Sequence, residues 1–127
     1  GQLRDYKFYC FNGEPKIIMI NSDRGIGKTK ADYFDMDFHW LDFKWGYDHA
    51  PVKPLKPKKF EKMKEFAAVL SKDIPELRVD FYEVDNKIYF GELTFFDGSG
   101  FDKIEPKEWD KKIGDWIDYT NLISNWR

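Results

Sequence analysis

At 127 residues, 42% apolar and 35% charged, the chain has the makeup of one folded domain spanning residues 1–127, not of a disordered segment. Its 21 basic and 23 acidic side chains leave a charge of −2, which excludes a dedicated nucleic-acid binder, and the lone Cys10 excludes a disulfide framework or a multi-cysteine zinc site. The longest aliphatic run, Ile17-Ile18-Met19-Ile20, is far too short for a membrane span, and with no basic-then-apolar leader the expected location is the cytoplasm.

Arg4-Asp5-Tyr6-Lys7-Phe8-Tyr9-Cys10-Phe11 reads as a strand, Asn12-Gly13 as a two-residue hairpin turn, and residues 14–20 as the return strand. Pro15 has no N–H and belongs at a strand start or edge. Both faces of the first strand are apolar, with Tyr6, Phe8 and Cys10 on one and Tyr9, Phe11 and Lys7 on the other. Such a strand needs cover on both sides. The expectation is a piece of a longer protein that exposes an apolar patch there or dimerises through it. Residues 21–31 read as a polar loop. Within it Gly25-Ile26-Gly27-Lys28-Thr29 has the look of a phosphate loop, but Ser22 stands where the motif's first glycine belongs and no strand-to-helix context surrounds it.

The stretch from Asp35 to Trp45 mixes acidic and aromatic residues. A metal reading would use Asp35, Asp37, His39 and His49, but their spacing is not that of a helical zinc site, and an edge strand with a loop is the preferred reading. Pro51, Pro54 and Pro57, set among lysines 53, 56, 58 and 59, predict an extended, solvated segment. Phe60, Met63, Phe66, Ala67 and Leu70 fall at helical spacing and predict a helix over residues 58–72, ended by Pro75. A second hairpin follows, residues 77–84 and 87–95 around Asp85-Asn86, then a turn at Asp97-Gly98-Ser99-Gly100. Pro106 starts a short helix carrying Trp109 and Ile113, Gly114 stops it, and the tail from Trp116 to Trp126 is apolar enough to dock. The sum is an α+β domain, a largely antiparallel sheet with one main helix.

The chemistry concentrates in the second hairpin. Arg78, Asp80, Glu92 and Thr94 stand among large apolar neighbours, and two carboxylates beside an arginine suit a hard cation and a phosphate. The competing reading is a cross-strand ion pair on a solvated face. Register decides whether a shared cation is feasible. A two-residue turn at Asp85-Asn86 sets Asp80 against Gly91 and sends Glu92 to the other face. A three-residue loop, Val84-Asp85-Asn86, restores the parity and is therefore expected, with Arg78 opposite Glu92 and Asp80 diagonal to it.

Asp5-Tyr6-Lys7-Phe8-Tyr9-Cys10-Phe11-Asn12-Gly13-Glu14-Pro15, Arg78-Val79-Asp80-Phe81-Tyr82 and Phe90-Gly91-Glu92-Leu93-Thr94-Phe95 resemble the teichuronopeptide-synthesis (TupA-like) branch of the ATP-grasp superfamily. The resemblance implies the C-terminal half of an ATP-grasp unit. Asp80 and Glu92 would be magnesium ligands, with Thr94 in the place of the more usual Asn, and Arg78 would contact phosphate or the acyl substrate. Lys7 and Arg24 would approach the triphosphate of ATP. The implied activity is Mg-ATP-dependent ligation of a carboxylate to an amine through an acyl phosphate, on a small-molecule or glycan-linked substrate of surface-polysaccharide or teichuronopeptide synthesis. Because the resemblance places ATP between two subdomains, this chain alone is expected to be inactive. The rival is a non-catalytic saccharide-binding or structural module. It rests on the 19% aromatic content, with Trp40, Trp45 and Tyr47 set against sugar rings.

Overall fold

Asn12 (φ 53°) and Gly13 (φ 82°) both adopt left-handed backbone, as a type I′ hairpin turn requires, and they join β1 (Asp5–Phe11) to β2 (Glu14–Ser22). The computed structural model describes residues 4–22, 29–96, 104–114 and 116. Among these, β3 (Lys30–Phe34) and the short β4 (Trp40–Leu41) continue the sheet on one side of β1, and β6 (Leu77–Val84) and β7 (Lys87–Phe95) on the other. The order is β4-β3-β2-β1-β6-β7 and every pairing is antiparallel. A separate two-stranded ribbon pairs β5 (Lys44–Trp45) with β8 (Ile104–Glu105). The helices are α1 (Phe60–Leu70) and the short α2 (Glu108–Gly114). The fold is α+β with one main helix, as expected.

β1 is an inner strand, and both of its faces are covered by the chain itself. On one face Tyr6, Phe8 and Cys10 pack with Phe60, Met63 and Ala67 of α1, the Phe8 and Phe60 rings stacking at 6.0 Å. On the other, Tyr9 and Phe11 join Phe43, Ile104 and Ile113, with Trp45 and Phe96 each 5.3 Å from the Tyr9 ring. This corrects the expectation that the first hairpin leaves an apolar patch. The cover comes from segments distant in sequence, the β5–β8 ribbon and α2, whose role no local pattern announces. Exposed apolar side chains lie instead on the edge strand β7 (Phe90, Leu93, Phe95) and on α1 (Phe66, Val69).

Other boundaries shift for local reasons. α1 is shorter than residues 58–72: the Phe60 N–H bonds the Pro57 carbonyl at its start, and at its end the Ser71 hydroxyl bonds the Ala67 carbonyl at 2.7 Å. Phe60, Met63 and Ala67 form its buried stripe, while Phe66 and Leu70 sit on its flank and stay partly exposed. β2 and β3 reach into the expected loop of residues 21–31, because the ladder continues through Asn21–Ala31 and Ser22–Lys30 pairs. Pro15 occupies an inner strand, next to a bulge at Lys16 where the β1–β2 register shifts and a ladder N–H is dispensable. The Gly25–Lys28 part of the phosphate-loop look-alike, the Asp97–Gly100 turn and the tail beyond Trp116 lie outside the described residues.

Candidate functional site

The second hairpin turns at Asp85 (φ 50°) and Asn86 (φ 64°), both left-handed, so its loop has two residues and not the expected three. The parity change comes from within the strand. Phe81 faces Phe90, yet Asp80 faces Glu92, so Gly91 is the extra residue of a bulge. A Cβ on Gly91 would lie 2.9 Å from the Tyr82 ring and 3.1 Å from the Asp80 carbonyl oxygen, so any larger residue must push the ring and the strand apart. Beyond the bulge, Glu92 and Thr94 share a face with Asp80 and Arg78.

Pairing across β1, β6 and β7 then builds two rows. Lys7, Asp80 and Glu92 stand side by side, and next to them Tyr9, Arg78 and Thr94. The Asp80 side chain is only 4% exposed and takes three short contacts from cations. Lys7 Nζ donates to Oδ2 at 2.9 Å, Arg78 Nε to Oδ1 at 2.9 Å and Arg78 Nη2 to Oδ2 at 2.9 Å. The same Nη2 reaches Glu92 Oε1 and Thr94 Oγ1, each at 3.3 Å. Lys7 also lies 3.6 Å from Asp5. Glu92, by contrast, is 64% exposed and forms the open side of the cluster.

The electrostatics follow from this packing. Burial works against the charged Arg78 guanidinium, but the hydrogen bonds and charge of Asp80, helped by Tyr9, outweigh it and raise its pKa. Burial pushes the Tyr9 hydroxyl up to about 12, against the opposing pull of Arg78. Tyr9 therefore stays neutral as the cross-strand neighbour of Arg78.

Of the residues singled out in the sequence, Lys7, Arg78, Asp80, Glu92 and Thr94 converge here, and Arg24 lies outside the described residues. Asp35, Asp37 and His39 also gather, their ligand atoms all within 4.8 Å, but Asp35 is occupied in accepting the Asp37 and His39 N–H groups as a turn cap. His49 stands apart from them, its Nδ1 3.1 Å from buried Asp32, which also accepts from Trp40 Nε1 and the Ala50 N–H. Trp40 and Trp45 are thus packing residues, and of the three aromatics proposed for sugar contact only Tyr47 is exposed. Sequence reasoning passed over Asp5 and Tyr9. They alternate with Lys7 on one face of β1, and that period of two was their available signal.

A family model described as TupA-like ATP-grasp matches residues 1–118. No curated protein and no solved structure matches the chain. The match spans the whole of both hairpins and the cluster between them, and the chain belongs to the TupA-like ATP-grasp family.

Proposed function

We propose that this chain supplies the metal-and-phosphate end of a Mg-ATP-dependent carboxylate–amine ligase of surface-polysaccharide or teichuronopeptide synthesis. The observation that carries the reading is the convergence of Asp80, Glu92 and Thr94 oxygens on a single cationic nitrogen, Nη2 of Arg78. Three oxygen donors around one positive point are the donor chemistry of a hard divalent ion, so the residues present fit magnesium. Asp80 and Glu92 would hold it, with the Thr94 hydroxyl as a neutral third ligand. Held there, magnesium would supply the positive charge that neutralises phosphate oxygens.

Lys7 and Arg78 supply fixed positive charge where negative charge builds up during phosphoryl transfer, and Arg24 is assigned the same task toward the triphosphate. ATP passes its γ-phosphoryl group to a substrate carboxylate, giving an acyl phosphate and ADP; an amine then attacks the acyl carbon and phosphate leaves. Positioning and exclusion of water dominate such a transfer, so the site needs a second wall over Glu92. In this reading a further subdomain provides that wall, and the chain by itself turns over little ATP.

The test is calorimetry of ATP binding, with and without magnesium, on the full-length protein. Glu92→Gln is the cleaner variant because its side chain is largely in solvent. Asp80→Asn strands Lys7 and Arg78 and is expected to cost about 3–5 kcal/mol of stability as well. Either change should weaken magnesium-dependent ATP binding at least about 10-fold. Unchanged affinity in both would leave only the cross-strand ion pair.

A further inference from the structure

The guanidinium of Arg78 stands where the divalent ion of the proposed reaction would stand. Its Nη2 lies 2.9 Å from Asp80 Oδ2 and 3.3 Å from both Glu92 Oε1 and Thr94 Oγ1, while Nε takes Asp80 Oδ1. We propose that Arg78 is a built-in competitor for the metal, a latch that keeps free divalent cations out until an anion draws the guanidinium away. The inference rests on the ligase reading for the nature of the anion, a polyphosphate, but the competition itself rests only on the geometry.

The argument is one of charge and space. A magnesium ion binds carboxylate oxygen at about 2.0–2.1 Å and keeps several waters. It cannot take Asp80 and Glu92 while one guanidinium nitrogen holds both. Nor can Arg78 give way by losing its charge, since arginine stays protonated in proteins. The cluster already sets Lys7 and Arg78 against Asp5, Asp80 and Glu92, two cations to three carboxylates. A bare divalent ion would reverse that balance in a site whose Asp80 is buried. A polyphosphate entering with the ion supplies the missing negative charge, and a planar guanidinium fork matches phosphate oxygens as well as it matches a carboxylate. Arg78 is part-exposed and needs to move only toward the open side, beside Glu92.

The experiment uses manganese as the probe and the amide signals of the isotope-labelled chain as the readout, with no turnover required. In the wild type, manganese alone should leave the Lys7, Asp80 and Glu92 signals sharp at concentrations that broaden them in Arg78→Gln. The half-broadening concentration should differ at least 10-fold. Arg78→Lys keeps the charge and covers the case in which the glutamine variant does not fold. A lysine is shorter and lacks the second nitrogen that holds Asp80 Oδ1, so its half-broadening concentration should fall between the other two. Variants indistinguishable from wild type overturn the latch, as does broadening confined to residues 35–39. Adding inorganic tripolyphosphate should bring the wild type to the behaviour of Arg78→Gln. If the variants bind manganese more tightly but the full-length protein shows no magnesium-dependent ATP binding, the latch stands and the ligase reading falls.

Discussion

Burial raises the Tyr9 hydroxyl from 10.0 and the Cys10 thiol from 9.0, each to about 12, and lifts Tyr33 and Tyr6 as well. In each case the folded protein holds a proton more tightly than the unfolded chain does. The stabilisation is complete below the unfolded value and is lost as pH climbs toward the folded one. Stability should therefore be flat to about pH 9 and then fall, each group adding up to about 1.4 kcal/mol per pH unit in its own window. Between pH 9 and 10 Cys10 is the largest single contributor and the tyrosines supply the rest, so urea midpoints for Cys10→Ala should fall only about half as steeply there as those of the wild type. Parallel curves would show that the thiol titrates alike in both states. At this same scale the membership of the cluster was legible, since Arg78, Asp80, Glu92 and Thr94 stand out by residue type and Lys7 by the family resemblance. Tyr9 was not, because an aromatic on a greasy strand reads as core, and only its pairing with Arg78 gives the hydroxyl a task.

The second hairpin shows how an element can be right in extent and its construction misread. Both strands fall where periodicity puts them, and the two carboxylates do share a face, but the extra residue is Gly91 and not part of the turn. The parity argument was sound; it placed the irregularity in the loop, where turn chemistry is easy to read. A glycine inside a strand is the sign of a bulge or of close backbone approach, and here it is both. Gly91→Ala should cost about 1–3 kcal/mol, because its Cβ meets backbone and an aromatic ring that cannot both retreat. Thermal melts of that variant check it, and an unchanged midpoint would show that the strand slips without penalty. Deleting Gly91 would remove the bulge and leave a regular ladder in which Asp80 still faces Glu92, so the shared face should survive the deletion.

Across the whole molecule, the least legible feature was what covers the second face of β1. The α1 stripe announces itself through Phe60, Met63 and Ala67 at helical spacing, so its side of the sheet could be read in advance. The opposite cover is assembled from Phe43, Ile104 and one turn of the short α2, Trp109 and Ile113, pieces far apart in sequence that share no common period. Long-range assembly of that kind leaves no local trace, which is why the first hairpin looked unfinished.

The placement of β1 inside the sheet and β7 at its edge has a consequence in time. Among the described residues, Lys7 and Asp80 ride on strands hydrogen-bonded on both sides, whereas Glu92 and Thr94 ride on one that is bonded on one side only. In hydrogen–deuterium exchange, the amides of Phe8, Tyr9 and Cys10 should open only with global unfolding, and those of β7 by local fraying, orders of magnitude sooner. Equal protection in β1 and β7 would count against this. With the expected gradient, the site has a slow wall and a fast one: its outer carboxylate can leave and return many times within the life of one folded molecule, while Lys7 and Asp80 keep their places.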